Sequence, residues 1–254
     1  MIRTPVRTLS SETPKGPQDR VEVVVHDTLE TCPYLEGRIA RMPLRYQVQG
    51  AQGARLDALL AAGDRRVGRM MYRTHCPDCS ECKAIRIPID TFVPTRSQRR
   101  AARKNADVIV SWHEPQVTAQ HLALYNTHKR KRDLARNEEG LTPAGYFNWL
   151  VNTCTDTREA RYWVGDRLVA VGIVDFGMKS SSSVYFYFDP AESKRSLGVF
   201  SVLKELEYAA SLGCDWHYLG LYVAECDALN YKAQYFAHER LIDGVWQGFT
   251  REGR

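Results

Sequence analysis

No stretch of these 254 residues approaches the roughly 20 consecutive apolar side chains that a membrane-crossing helix requires. A helical membrane span is therefore excluded, and no membrane partner is expected. The opening Met1-Ile2-Arg3-Thr4-Pro5 is polar and lacks the apolar centre of a secretory signal, so a cytoplasmic location is expected. Seven cysteines, an odd number without a signal, argue against a disulfide framework and for a reducing compartment. No internal repeat or low-complexity segment is present, which removes solenoid and scaffold readings. What remains is globular: 44% of the residues are hydrophobic and five are tryptophan. That is enough for one large core or two modest ones.

Charge is mild in sum and uneven in place. The net +5 gathers at 65–73, at 95–104 and at His128-Lys129-Arg130-Lys131-Arg132, all in the first 140 residues. Three basic runs in one half point to a polyphosphate partner, with solvated helix faces as the competing reading. The densest local signal is Cys76-Pro-Asp-Cys79-Ser-Glu-Cys82, directly after the first basic run. With Cys32 these thiols admit a zinc site, an iron–sulfur cluster, or free redox-sensitive thiols made acidic by the adjacent arginines.

Periodicity gives an α+β chain. Residues 1–20 read as a flexible leader, with prolines at 5, 14 and 17. Strands are expected at 21–26, 83–89 and 108–112, with Pro88 arguing for an edge or an end. Helices are expected at 56–62, at 97–105, after Pro115 through Leu122, Leu124 and Tyr125 into the basic cluster at 128–132, and at 143–150. A meander follows: 159–164, a Gly165-Asp166 hairpin turn, 167–176, a flexible turn of serines at 180–183, and a strand from Val184 to Phe188. Then come a helix at 197–212, a strand at 215–221 and a helix at 227–236. This order matches an N-acetyltransferase-like (GNAT) core, in which an acyl donor lies where two central strands splay apart. The loop before the long helix, Lys194-Arg195-Ser196-Leu197-Gly198, lacks the second glycine usual in coenzyme A-dependent acetyltransferases. That disfavours coenzyme A and leaves a helix N-terminus open to another phosphate.

A longer series of motifs is more specific. It comprises Cys32-Pro33-Tyr34-Leu35, the block from Arg65-Arg66 through Tyr72 to Cys82, Ile85-Arg86-Ile87, Ser97-Gln98-Arg99-Arg100, the stretch from Tyr125 to Lys129, and Tyr187-Phe188-Asp189-Pro190. Ser196-Leu197-Gly198, Tyr218-Leu219-Gly220-Leu221-Tyr222, and Glu225-Cys226 leading to Asn230-Tyr231-Lys232 complete it. In this order they resemble the bacterial aminoacyl-tRNA–protein transferases: the aspartate/glutamate leucyltransferases, relatives of arginyl-tRNA–protein transferase. The resemblance runs over about residues 30–247. It departs at Ala228, where the family commonly has methionine, and in the tail after Lys232.

The resemblance implies an enzyme that moves leucine from Leu-tRNA to the α-amino group of proteins with N-terminal Asp or Glu, creating a degradation signal of the N-end rule pathway. Arginine as the donated residue is the alternative; a metal-stapled tRNA-binding module without turnover is the alternative of another class. The implied fold is a GNAT-like catalytic domain over 107–250 behind a smaller cysteine-containing N-terminal module over 21–106. The ester is already activated, so no cofactor is required for transfer, and zinc or an iron–sulfur cluster remains open at Cys32, Cys76, Cys79 and Cys82. Within the motifs, Asp189 is the candidate proton acceptor and Tyr187 the contact to the ester or ribose; a turn cap and a core tyrosine are the plain readings. Arg65, Arg66 and Arg86 are candidates for the acceptor's carboxylate, against a surface or RNA-facing role. Tyr218, Gly220, Tyr222, Asn230, Tyr231 and Lys232 complete the expected substrate-binding set. Arg99, Arg100, Lys129, Arg130, Lys131 and Arg132 are the expected tRNA contacts.

Overall fold

The structure is a computed structural model, and it describes residues 21–134 and 140–251. The expected leader at 1–20 lies outside the described residues. The main feature is an eight-stranded sheet in the order β14-β13-β7-β12-β11-β10-β9-β8. Its strands are β7 (Lys83–Pro88), β8 (Ile109–His113), β9 (Asp156–Val164), β10 (Arg167–Phe176), β11 (Ser180–Phe188), β12 (Trp216–Tyr222), β13 (His238–Ile242) and β14 (Val245–Phe249). Only β11 and β12 run parallel, and the helix between them, α5 (Leu197–Ser211), makes the crossover that a parallel pair needs. A smaller sheet of β1 (Glu22–His26), β4 (Leu44–Gln47), β6 (Met70–Tyr72) and β5 (Arg65–Val67) stands beside it, with a ribbon of β2 (Leu29–Thr31) and β3 (Ile39–Arg41).

Both faces of the large sheet are covered, which explains why β10 is buried at every position after Arg167. On one face Tyr125 and Leu124 of α3 (Ala119–Lys131), Tyr146 of α4 (Pro143–Tyr146) and Leu150 pack on Leu168, Val171, Ile173 and Tyr187. On the other, Leu197 and Phe200 of α5 cover Tyr162, Val169 and Ala170. Beside α5 lies α2 (Arg96–Lys104), started by a capping box in which Thr95 and Gln98 serve each other's backbone N–H.

Two ties, the first of them buried, join the small sheet and α1 (Gly53–Ala61) to the large one. Arg66 Nε donates to Asp175 Oδ2 at 2.6 Å, with both side chains almost wholly excluded from solvent. Asp57 of α1 accepts from the backbone of Met178 and Lys179 and from the Ser180 hydroxyl.

Several expected elements need correction. Residues 180–183 are strand, not a turn: Ser180, Ser181 and Ser182 pair with Trp216, His217 and Tyr218. The strand at 83–88 is interior, between β12 and β13, and Pro88 is its last residue. The boundary expected at 106/107 falls after α2, so β7 joins the large sheet from the earlier side of it. The helix expected at 227–236 is a single turn, α6 (Asp227–Asn230), followed by a 3-10 turn at Tyr231–Gln234. No expectation covered the β13–β14 hairpin.

Candidate active site

The parallel strands β11 and β12 stay paired only from Ser180–Trp216 to Ser182–Tyr218. Beyond that they part, β11 following β10 through a bulge at Val184 and β12 following β7. Into the opening comes Arg65 of β5. Its Nη2 donates to the Ser183 carbonyl at 3.0 Å, while Nη1 is buried with no hydrogen-bond partner. Gly220 faces it across the gap with φ +92°, and a Cβ there would run into the guanidinium. A buried donor left unpaired costs about 1–3 kcal/mol, so the spare N–H marks a place for an acceptor. Arg65 reaches the gap because successive strand residues point opposite ways, and Arg66, next in line, is locked into Asp175.

Below the gap is a polar network with no loose end. The Ser183 hydroxyl and Ser201 both donate to Glu205 of α5. His217 Nε2 stands 3.2 Å from the same carboxylate, and its Nδ1 is 2.8 Å from the Ser181 hydroxyl. Burial works to raise the Glu205 pKa, yet the bonds from His217, Ser183 and Ser201 prevail and hold it below its ordinary value. The set has the composition of a hydrolase triad, but the serine hydroxyl is tied to the carboxylate and His217 is fully buried. Its work is to fix Ser183, whose carbonyl holds Arg65. Sequence reading missed these residues, although a Glu and a Ser on the apolar face of a helix, and a His inside an apolar strand, were the available signals.

Lys232 lies on the 3-10 turn beside β12 and is only 8% exposed. Its Nζ donates to the Leu221 carbonyl at 2.7 Å. Burial first, and then the charge of Arg65, bring its pKa down to about 7, with Cys226 acting the other way.

Two cavities lie one on each face of the large sheet. On the α5 side, one of about 390 Å³ is lined by Thr95, Ser97, Arg100, Lys104, Ser196, Tyr231 and Arg251, polar groups around the start of α5. On the α3 side, one of about 740 Å³ is walled by Val67, Met70, Tyr125, Leu141, Trp149 and Tyr185. Asn126, Lys129 and Asn148 add polarity there, and none of its described lining residues is Asp or Glu. Val67 and Tyr185 lie two residues beyond Arg65 and Ser183, so the same strands serve cavity and gap.

The other expected substrate-binding residues are engaged elsewhere. Arg66 is the buried partner of Asp175. Arg86 is stacked between Trp216 and Trp246, at 3.6 and 4.1 Å to the ring centres, and bonds Glu239 and the Tyr218 hydroxyl. Tyr222 carries Arg240 over its ring at 3.8 Å, and Asn230 ties its own turn to Ala224 and Asp227. Tyr231 lines the polar cavity. The Tyr187 hydroxyl is paired with that of Tyr146 at 2.6 Å inside the core. Asp189 caps the turn after β11 and pairs with Arg167 at 3.0 Å. It sits six residues beyond Ser183, about 20 Å along a strand, so neither it nor Tyr187 is brought to the gap.

The basic residues divide between the faces. Arg100 lines the polar cavity, and the neighbouring Arg99 bonds the Pro94 carbonyl. Lys129 lines the apolar cavity, Arg130 and Lys131 are exposed at the end of α3, and Arg132 lies 5.4 Å over Phe188. The cysteines draw together: burial first, then the fields of Cys76, Cys32 and Cys79, push the Cys82 thiol up to about 12. That opposes the acidic thiol expected from the neighbouring arginines. Among the described residues no three His, Cys, Asp or Glu side chains are set to hold a metal ion, and no helix is long and apolar enough to cross a membrane.

Comparison with known proteins adds an independent line. The sequence pattern of "Arginine-tRNA-protein transferase, N terminus" matches residues 30–100, and that of its C terminus matches 120–242. The aspartate/glutamate leucyltransferase of Acinetobacter baylyi is 34% identical over 223 residues, 87% of this chain and 82% of the relative. That of Chromobacterium violaceum is 32% identical, over 85% and 89% of the two chains, and that of Aeromonas hydrophila 36%, over 75% and 80%. Among solved structures, the C-terminal domain of a putative lysylphosphatidylglycerol synthetase from Agrobacterium fabrum is similar with a TM-score of 0.47 and 11% identity, over 78% and 71% of the two chains. FemX is similar with a TM-score of 0.43 and 10% identity, over 71% and 63%. The motif resemblance and these matches agree, and the chain belongs to the arginine-tRNA–protein transferase family, with the bacterial aspartate/glutamate leucyltransferases among its relatives.

Proposed function

We propose that this protein transfers leucine from Leu-tRNA to the α-amino group of proteins with N-terminal Asp or Glu, in the cytoplasm, as a mark for degradation. The observation that carries this reading is the gap between β11 and β12, with a spare arginine N–H inside it, together with a different cavity on each face of the same sheet. A two-substrate reaction needs such an arrangement, since holding both partners is most of the acceleration when the ester is already activated. The parting strands and the α5 crossover also support the GNAT-like description of the fold.

The polar cavity suits the 3′ end of a tRNA. Arg100, Lys104 and Arg251 supply positive charge, and the start of α5 adds its own. The apolar cavity suits the donated side chain, and it favours leucine over arginine because a buried guanidinium would need an anion that the described walls do not offer. Arg65 then takes the acceptor's carboxylate: its spare Nη1 lies in the gap, whereas Arg66, which also has an unpaired Nη2, is held by its ion pair with Asp175. Cys32, Cys76, Cys79 and Cys82 are soft donors by type, but among the described residues they are not set as a metal site, and no step of the transfer runs through them.

The test is a transfer assay with reporter peptides beginning Asp, Glu, Arg or Ala and separately labelled Leu-tRNA and Arg-tRNA. Leucine on the Asp and Glu peptides alone is the expected result. Arginine there instead would overturn the assignment of the apolar cavity and keep the enzyme. No transfer from either donor, with tRNA still bound, would leave an RNA-binding module.

A further inference from the structure

Transfer requires the acceptor's α-ammonium to lose a proton before its nitrogen can attack. Asp189 was the expected acceptor of that proton, and it is tied to Arg167 about 20 Å along β11 from Ser183. Glu205 and His217 lie below the gap, bonded to each other and to serines. One other basic nitrogen stands beside the gap. Lys232 is buried against β12, and its single hydrogen bond goes to the carbonyl of the residue after Gly220. Among the described residues no carboxylate forms an ion pair with it.

We infer that Lys232 is the base that receives the acceptor's proton, and that Arg65 positions the acceptor for it. This rests on the reading of the gap given above. The α-ammonium passes one proton to the Nζ lone pair. The freed nitrogen forms the C–N bond to the leucyl carbonyl, and the ester C–O bond breaks with its electron pair leaving on the tRNA ribose oxygen. The second amine proton ends on that oxygen, and Lys232 returns the first to solvent.

The groups acting on Lys232 support the assignment. Its burial and the Arg65 charge disfavour the ammonium form, while Cys226 favours it; the Tyr231 ring lies 6.0 Å from Nζ. The resulting value, about 7, leaves much of the amine neutral at physiological pH. A carboxylate bound at Arg65 cancels part of the opposing charge and brings the proton affinity of Lys232 toward that of an α-amine, near 7.7–8.0. Side-chain recognition and proton removal are thereby linked: an acceptor beginning with Ala loses turnover as well as binding.

The experiment compares wild type with Lys232→Met and Lys232→Arg, using Leu-tRNA and an Asp peptide in single-turnover transfer between pH 6 and 9. Tm and tRNA binding serve as controls for folding. Both variants should lose at least ~10²-fold in transfer with tRNA binding unchanged. Lys232→Ala should regain part of it with added methylamine. In wild type, ¹³C-lysine NMR should show one ε-carbon, absent from Lys232→Met, titrating near pH 7. Wild-type transfer matched by Lys232→Met, or a Lys232 titration at the ordinary lysine value, overturns the assignment while leaving the enzyme intact. If Lys232→Met does not fold, the titration together with Lys232→Arg decides. Absence of transfer by wild type itself overturns the underlying reading and this assignment with it.

Discussion

The two halves of β11 solve opposite problems. Its first half, Ser180–Ser183, is small and polar, and its hydroxyls are bonded to Asp57, His217 and Glu205. Its second half is aromatic; Tyr187 and Phe186 pack into the two cores, one on each side of the sheet. Position along the strand is not what makes a site. Both halves are satisfied, one by hydrogen bonds and one by packing. The unpaired donor at the gap belongs to Arg65, which enters from another sheet and meets the strand at Ser183, the last of the serines.

Changes to what holds Arg65 in place test that contrast hardest. Asp175→Ala leaves Arg66 charged and unpaired in the interior, a loss of about 3–5 kcal/mol. Thermal unfolding should fall by roughly 10 °C. An unchanged Tm would mean that β5, and Arg65 with it, is anchored some other way. Gly220→Ala is aimed at the gap alone. The added methyl meets the guanidinium, and φ +92° strains alanine by about 1–2 kcal/mol. Transfer should drop ~10²-fold with the fold retained, because displacement by about 1 Å suffices for that. Near-normal transfer would remove Arg65 from the site.

Lys232→Met sharpens the contrast from the stability side. Folded Lys232 binds its proton only below about pH 7, whereas the unfolded chain keeps one to the ordinary lysine range. From about pH 7 to 10 the unfolded state therefore holds the extra proton, and the stability of the wild type rises with pH through that window. Methionine abolishes this slope and should raise Tm by a few degrees at pH 7.5, against a smaller loss from the unpaired Leu221 carbonyl. A lower Tm with the slope retained would show that the lysine is not held neutral. The aromatic half should respond least. Tyr187→Phe costs about 1–2 kcal/mol through its bond to Tyr146, and Asp189→Asn about 1 kcal/mol or less. Transfer should stay within about twofold for both; a large loss in either would move the chemistry toward the far end of β11.

Local signals were legible where neighbours in sequence decide the outcome. The Gly165-Asp166 turn joins β9 and β10 as expected, and the basic helix expected at 97–105 is α2. The motif series also carried the family. The serines at 180–183 were misread because small polar residues usually mark loops; here their partners lie from 22 to more than 120 residues away. Pro88 suggested an edge or an end because proline cannot donate to a ladder, and an end is what it marks: it is the last residue of β7, an interior strand. Tyr187, Asp189 and Arg86 carry motif chemistry, but only three-dimensional placement shows what has already claimed them. Arg65 and Lys232 were among the expected residues; one spare N–H and one proton affinity near neutrality were not readable from composition.

β7 lies between β12 and β13, strands that follow it by well over a hundred residues. During synthesis at the ribosome, Lys83–Pro88 emerges long before either neighbour exists. Its apolar side chains and open ladder must wait until Trp216–Tyr222 and His238–Ile242 have left the exit tunnel. The gap is bounded by β12, so it cannot form on the growing chain until Trp216–Tyr222 have emerged.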